Sequence, residues 1–245
     1  MKTDTAKQGK NVLNKKPALS DLNIPKSVLM REQVYSYLKK LLNDGKIKPG
    51  TALDLKSLSE NMGFSRTPLR DALLRLEAEG FVTINSRRGV LVSPLDLHTI
   101  KNAYQIIGAL ECAAILEAGG KMEAGTSHKM LELNERMKLS LNNSDFNAYY
   151  LDNLAFHDCY ISLSKNEELK RTVKVLKERL YDFPRLDSYI SQWELASVKE
   201  HDQLIKLFLE GNFEAAAILA RDVHWSYEAQ EHFIKDYYFK LEAAQ

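Results

Sequence analysis

Two cysteines in 245 residues, Cys112 and Cys159, are too few for a disulfide framework, and both fall in stretches with helical apolar spacing. They read as buried free thiols in a reducing compartment, and the expected location is the cytoplasm. Proline (6) and glycine (11) are sparse, which excludes a collagen-like or low-complexity chain. Nowhere do 18 apolar residues run together, and the first 30 residues hold Lys and Pro without a continuous apolar segment. Neither a membrane span nor a secretory leader is therefore expected. What remains, 44% hydrophobic and 27% charged residues, describes a globular protein long enough for one large domain or two smaller ones.

The net charge of +1 conceals a division. Residues 1–95 carry 17 Lys and Arg against 9 Asp and Glu, a surplus of +8, whereas the remainder carries 17 against 24, or −7. A polyanionic partner thus belongs to the N-terminal part. Residues 1–27 are polar, Lys-rich and aperiodic, and read as a flexible arm. From Met30 the residues Val34, Tyr37, Leu38, Leu41 and Leu42 recur at three and four positions, predicting a helix that stops near Asn43-Asp44-Gly45. After a turn at Lys48-Pro49-Gly50, Asp54 caps a second short helix whose Leu55, Leu58 and Met62 share a face and which ends at Gly63.

A third helix opens at Ser65, whose hydroxyl is expected to accept from first-turn amides, and Pro68 is tolerated in that turn. Leu69, Ala72, Leu73 and Leu76 form its inner stripe, while Arg66 and Arg70, four apart, project the other way beside Thr67. Two β-rich runs follow, 81–84 and 90–92, joined across Asn85-Ser86-Arg87-Arg88-Gly89. Three short helices and a hairpin with a cationic tip compose a winged helix-turn-helix. Its third helix suits the major groove, and Arg87 and Arg88 suit phosphates or the minor groove. Gly89 reads first as the residue that permits the turn.

The stretches Gly45-Lys46-Ile47-Lys48-Pro49-Gly50 and Phe64-Ser65-Arg66-Thr67-Pro68-Leu69-Arg70-Asp71-Ala72-Leu73 resemble the DNA-binding domain of GntR-family bacterial transcription regulators. The resemblance implies operator contacts from Arg66, Thr67, Arg70, Arg88 and Gly89, and Ser65 and Arg87 beside them complete the set of candidates. One departure is Ala52-Leu53-Asp54 at the start of helix two, where the family has a more polar sequence.

Beyond the break at Pro94-Leu95-Asp96, a long pattern through Ile100, Ala103, Tyr104, Ile107, Leu110, Cys112, Ala114 and Leu116 runs to Gly119-Gly120. Further helices are expected over about 126–142, 145–163, 167–183, 190–210 and 212–239. The fold class is therefore mainly α: a winged helix-turn-helix over residues 28–94, then an all-helical bundle of about six helices over 95–240. The domain order, Phe156-His157, Glu200-His201, and Gly211-Asn212 followed by alanines resemble the FadR-type subgroup with an all-helical FCD effector domain. That resemblance implies a divalent metal, Zn or Ni, held by one carboxylate and three histidines below a small organic acid.

Carried over residue by residue, the metal set is His157, His201, His224 and Asn153, with two departures. The family's carboxylate, four residues before the first histidine, is Asn153 here, and Asp152 lies about 100° around the helix. The third histidine is expected at Val223, whereas His224 stands one place later; a bulge or a one-residue difference near Gly211 would absorb that offset, and spacing alone does not choose between the two positions. A second reading gives His157 and His201 buried hydrogen-bonding roles without a metal. An asparagine in place of the carboxylate leaves one fewer negative charge, so any metal binds more weakly.

The family's Glu-x-Arg in the first effector-domain helix is also missing, since Ile107 occupies the arginine position. A less charged or more apolar ligand gains ground, unless Arg179, Arg185 or Arg221 compensates. Tyr181, Trp193 and Tyr227 are candidates to line the pocket, although such residues also serve as ordinary core. The expectation is a homodimeric, metabolite-responsive regulator reading a roughly palindromic operator in double-stranded DNA. The runner-up is a dimeric DNA-binding protein with no small effector. A remote third is a metal-dependent hydrolase using His157, His201 and Asp158 or Glu200.

Overall fold

The computed structural model describes residues 26–63, 65–181 and 191–239. Most of the polar arm expected over 1–27, Phe64 and Arg185 lie outside the described residues; Lys26 already belongs to the first helix. The N-terminal unit comprises α1 (Lys26–Asn43), α2 (Leu55–Met62), α3 (Arg66–Ala78), β1 (Val82–Asn85) and β2 (Gly89–Val92). Asp54 caps α2 by accepting from the amides of Lys56 and Ser57. Its core gathers Val34, Leu38 and Leu42 from α1, Leu69, Ala72, Leu73 and Leu76 from α3, and Phe81, Val82, Val90 and Val92 from the wing. Burying each of the larger aliphatic side chains contributes about 1.5–3 kcal/mol, so the leucine stripe of α3 fixes which face of that helix is left outward.

Two local expectations need correction, and the hairpin carries an edge that was not expected. Ser65 occupies the N-cap of α3, but its hydroxyl makes no capping hydrogen bond. Pro68, third in the helix, removes one of the two amides a cap at Ser65 could engage. Tyr37 is exposed rather than packed; Tyr35 instead lies under the Arg75 guanidinium, 3.7 Å from ring centre, and donates to Glu79. The segment before α2 also adds a short third edge to the hairpin, with a bridge from Ala52 to Leu91 and the Leu53 amide bonded to the Val90 carbonyl.

In the wing, Val82 pairs with Val92 and Asn85 with Gly89 in antiparallel register. Asn85 folds the tip by accepting from the amides of Arg87 and Arg88, and Gly89 closes it at φ +76°, a conformation an L side chain adopts only with strain.

The C-terminal unit is helical throughout its described residues: α4 (Leu97–Ala118), α5 (Ala124–Asn142), α6 (Phe146–Ile161), α7 (Glu167–Tyr181), α8 (Ser191–Leu209), α9 (Phe213–Leu219) and α10 (Tyr227–Phe239). Asp96, Asp145 and Asn212 cap α4, α6 and α9 through first-turn amides. The single helix expected over 212–239 is interrupted: a π-helical segment, Ala220–His224, separates α9 from α10. Leu116, expected on the packed face of α4, is half exposed; Ile107, Glu111 and Ile115 carry the buried stripe.

The two units meet through α7. Val175 packs on the N-terminal core, Glu178 pairs with Lys39 of α1, and Arg179 lies across Gly80 in the turn between α3 and β1. Gly80 has φ +81°, and a Cβ there would stand 2.7 Å from the Arg179 guanidinium, so both backbone and close approach require glycine.

Candidate functional site

Two surfaces carry the candidate residues. On α3, Arg66, Thr67 and Arg70 are exposed while Pro68 and Leu69 between them are buried, so one helix face anchors and the other is presented. Arg87, Arg88 and Gly89 are exposed at the wing tip on the same unit. Arg75, farther along α3, is not part of this free set, because it pairs with Glu32 and Glu79.

Inside the C-terminal unit, His157 of α6, His201 of α8 and His224 of the π segment converge, with one ligand atom from each lying within 4.8 Å of the others. Every imidazole is held from behind through Nδ1. His157 meets Glu111 Oε2 at 3.0 Å and Tyr160 Oη at 2.6 Å, His201 meets Asn134 Oδ1 at 3.3 Å, and His224 meets Glu200 Oε2 at 2.7 Å. Acceptors at Nδ1 fix the tautomer with its proton there and turn the Nε2 lone pairs inward. The inner atoms lack ordinary partners: His201 Nε2 is buried with no hydrogen bond, as is Asn153 Oδ1, and the Nε2 atoms of His157 and His224 face each other at 3.3 Å. Burial pushes His157 down to about 4 and His201 well below its usual range, so both are neutral imidazoles at neutral pH.

The interruption in the last helix puts His224 here. Within Ala220–His224 the ladder closes i to i+5, the Trp225 amide reaching the Ala220 carbonyl, and the widened turn accommodates one additional residue. Val223, the position expected from regular spacing, is exposed. Asp152, the alternative carboxylate, turns away and pairs with Arg136 at 2.6 Å.

Sequence reasoning missed the shell behind the histidines. Glu111 is fully buried, joined to Lys177 Nζ at 2.6 Å and accepting from Trp225 Nε1 at 2.9 Å. Burial opposes its ionisation, yet the hydrogen bond with His157 and the Lys177 ammonium hold the carboxyl well below the usual range. Its place in the Ile107-Glu111-Ile115 stripe of a helix otherwise apolar on that face was the available signal.

Beside the histidines is a cavity of about 50 Å³, bordered by Asn153, His224 and Glu200. Its ring-bearing wall includes Tyr104, Tyr149, Tyr150, Tyr181, Trp193 and Trp225. Tyr181 and Trp193 therefore stand where the pocket was expected, whereas three other candidates do not line it. Arg179 reaches the N-terminal unit at Gly80, Arg221 is exposed and paired with Asp222, and Tyr227 packs elsewhere with its hydroxyl on Glu231. Among the described residues no lysine or arginine borders the cavity.

This combination defines a winged-helix DNA-binding protein with a helical sensor unit. Residues 30–92 match the family described as bacterial regulatory proteins, gntR family, and residues 102–224 match the FCD domain. The chain belongs to the GntR family of bacterial regulators, in the group that carries an FCD effector domain. The HTH-type transcriptional regulator YdhC of Bacillus subtilis (strain 168) is 26% identical over 202 residues, covering 81% of this chain and 89% of that relative. The HTH-type transcriptional repressor RspR of Escherichia coli (strain K12) is 24% identical over 160 residues, covering 62% and 70% respectively. Among solved structures, E. coli McbR/YncC superposes with a TM-score of 0.60 at 20% identity, covering 88% of this chain and 98% of that one. The chain is thus a DNA-binding transcription regulator whose C-terminal domain can bind a small effector, and not an enzyme, which removes the hydrolase reading. No described helix is long and apolar enough to cross a membrane.

Proposed function

We propose that this regulator binds a two-fold symmetric operator as a homodimer. Arg66, Thr67 and Arg70 of each copy enter the major groove, and Arg87 and Arg88 engage the flanking backbone. The observation that carries this reading is the two-sidedness of α3, whose leucines are buried while Arg66 and Arg70 are exposed and, among the described residues, make no ion pair with an acidic side chain. Ser65 and Gly89 serve through their backbone, one opening the recognition helix and the other closing the wing. Lys and Arg contacts to phosphate supply salt-dependent affinity, and an arginine bidentate to guanine discriminates bases by about 1–3 kcal/mol. Fluorescence anisotropy on a selected operator tests it: Arg66→Ala or Arg70→Ala weakens cognate binding tenfold or more while the fold is retained, and unchanged binding by both variants contradicts it.

The sensor site, on this reading, holds a divalent ion, zinc or nickel, through His157, His201, His224 and the amide oxygen of Asn153. Support comes from the orphaned His201 Nε2 and Asn153 Oδ1, buried atoms that cost free energy unless something meets them. Such an ion supplies a positive centre with room for a donor atom of the effector. With four neutral ligands it binds more weakly than a site containing a carboxylate. Competition titration with a chelator is expected to give one zinc equivalent per chain, at least tenfold weaker binding for His201→Ala or His224→Ala, and an intermediate loss for Glu200→Gln. Equal zinc affinity in all four proteins contradicts the assignment.

Effector binding alters operator affinity only if the two arrangements of the DNA-binding units bind the effector unequally. The path we favour is α7, which carries Lys177 on Glu111 at the histidine shell, Tyr181 at the cavity, and Glu178 and Arg179 on the N-terminal unit.

A further inference from the structure

The chemistry of the cavity wall narrows the effector, and this step rests on the sensor reading above. Aromatic rings make up most of the wall, and the titratable groups among the described residues that border it are acidic or imidazole rather than basic. Glu200 is already engaged by His224 and by Gln230. Glu194 is not matched in that way: Tyr149 donates to it, but no cation pairs with it among the described residues. Burial accordingly pushes its carboxyl up to about 7. A carboxyl enclosed by rings, with no counter-ion among the described residues, gives up its proton more readily beside a positive guest, and its charged form repels an anionic one. Lys177 sits behind Trp225, 5.1 Å from its ring centre, and is committed to Glu111.

We propose that the cavity takes an ammonium compound, its positive nitrogen among the tyrosine and tryptophan rings beside Glu194 and a donor oxygen at its other end directed to the histidines. Ring quadrupoles attract such a cation most strongly where water is excluded. About 50 Å³ admits roughly three or four water-sized groups, which limits the enclosed part of the guest to a compact ammonium head and leaves the rest of the molecule to extend toward the histidines. A small organic acid, the expectation from family resemblance, finds no basic side chain among the described residues of this wall and would have the ion alone to offset its charge against Glu194. An oxygen at the far end lets a zwitterion satisfy the metal and Glu194 together.

Isothermal titration of the full-length zinc-loaded chain with two matched pairs tests the charge directly. Choline is compared with 3,3-dimethyl-1-butanol, and glycine betaine with 3,3-dimethylbutanoate, so that within each pair only the positive nitrogen is replaced by carbon. Each ammonium compound is expected to bind at least tenfold tighter than its carbon counterpart, and Glu194→Gln is expected to shrink that ratio to about twofold or less. Carbon compounds that bind equally or better overturn the proposal, as does failure of both ammonium probes. If a carboxylate such as malate binds instead and shifts operator affinity, the sensor reading stands and the ammonium inference falls. If no compound of either class binds or shifts operator affinity, both fall.

Discussion

Glu194 illustrates how an enclosed carboxyl records its surroundings in the stability of the whole chain. Its folded value of about 7 lies above the ordinary carboxyl value of about 4.5, because burial disfavours the charged form. Between those values the native state holds a proton that the unfolded chain has released. The stabilisation is therefore fully present below about pH 4.5 and is lost as pH rises through about 7, an effect of roughly 3 kcal/mol. Urea unfolding of Glu194→Gln against the parent is expected to show equal stability near pH 4.5 and a more stable variant at pH 8; parallel pH profiles contradict this. Glu111 is the opposite case, a buried carboxylate kept charged by Lys177 and bonded to His157, and so a support for the histidines instead of an attraction for ligand. Residue types and spacing were enough to nominate His157, His201 and the exposed arginines. They were not enough to nominate Glu111, Lys177 or Glu194, since their partners come from helices far apart in the chain.

At the scale of elements, α7 and the π segment decide how the sensor unit is assembled. Helix periodicity was readable for almost every helix, because apolar stripes at three and four positions reflect burial on one side. The break inside the last helix was not readable: Ala216, Ala220 and Val223 fit a regular helix as well as the observed path does. The wider turn goes with contacts from distant helices, His224 against the other two imidazoles and on Glu200, and Trp225 on Glu111. The contact of α7 with the N-terminal unit was hidden for a related reason, since Arg179 on an amphipathic helix is equally compatible with the effector cavity. Gly80 gives that contact a direct test. Gly80→Ala meets both the left-handed backbone, at about 1–2 kcal/mol, and the Arg179 guanidinium, so its thermal midpoint is expected to fall. Combining it with Arg179→Ala is expected to recover part of the loss, leaving the backbone contribution. A double variant no more stable than Gly80→Ala contradicts the contact.

On the scale of the molecule, the charge division of the sequence corresponds to a division of labour. The basic surplus belongs to the unit that presents α3 and the wing, and the acidic surplus to the unit that encloses the histidines. Alternation of apolar and charged positions made the N-terminal unit legible almost element by element, whereas the proposed symmetric dimer has no comparable mark in one chain. Dimeric operator recognition is consequently the claim on which the regulatory account stands, and affinity selection from a random duplex library by the full-length protein measures it most directly. The account predicts enrichment of a two-fold symmetric motif, its half-sites separated in keeping with two recognition helices on one duplex, and loss of that enrichment with Arg66→Ala and Arg70→Ala combined. Recovery of no motif, or of an unpaired half-site bound by one copy, would contradict it.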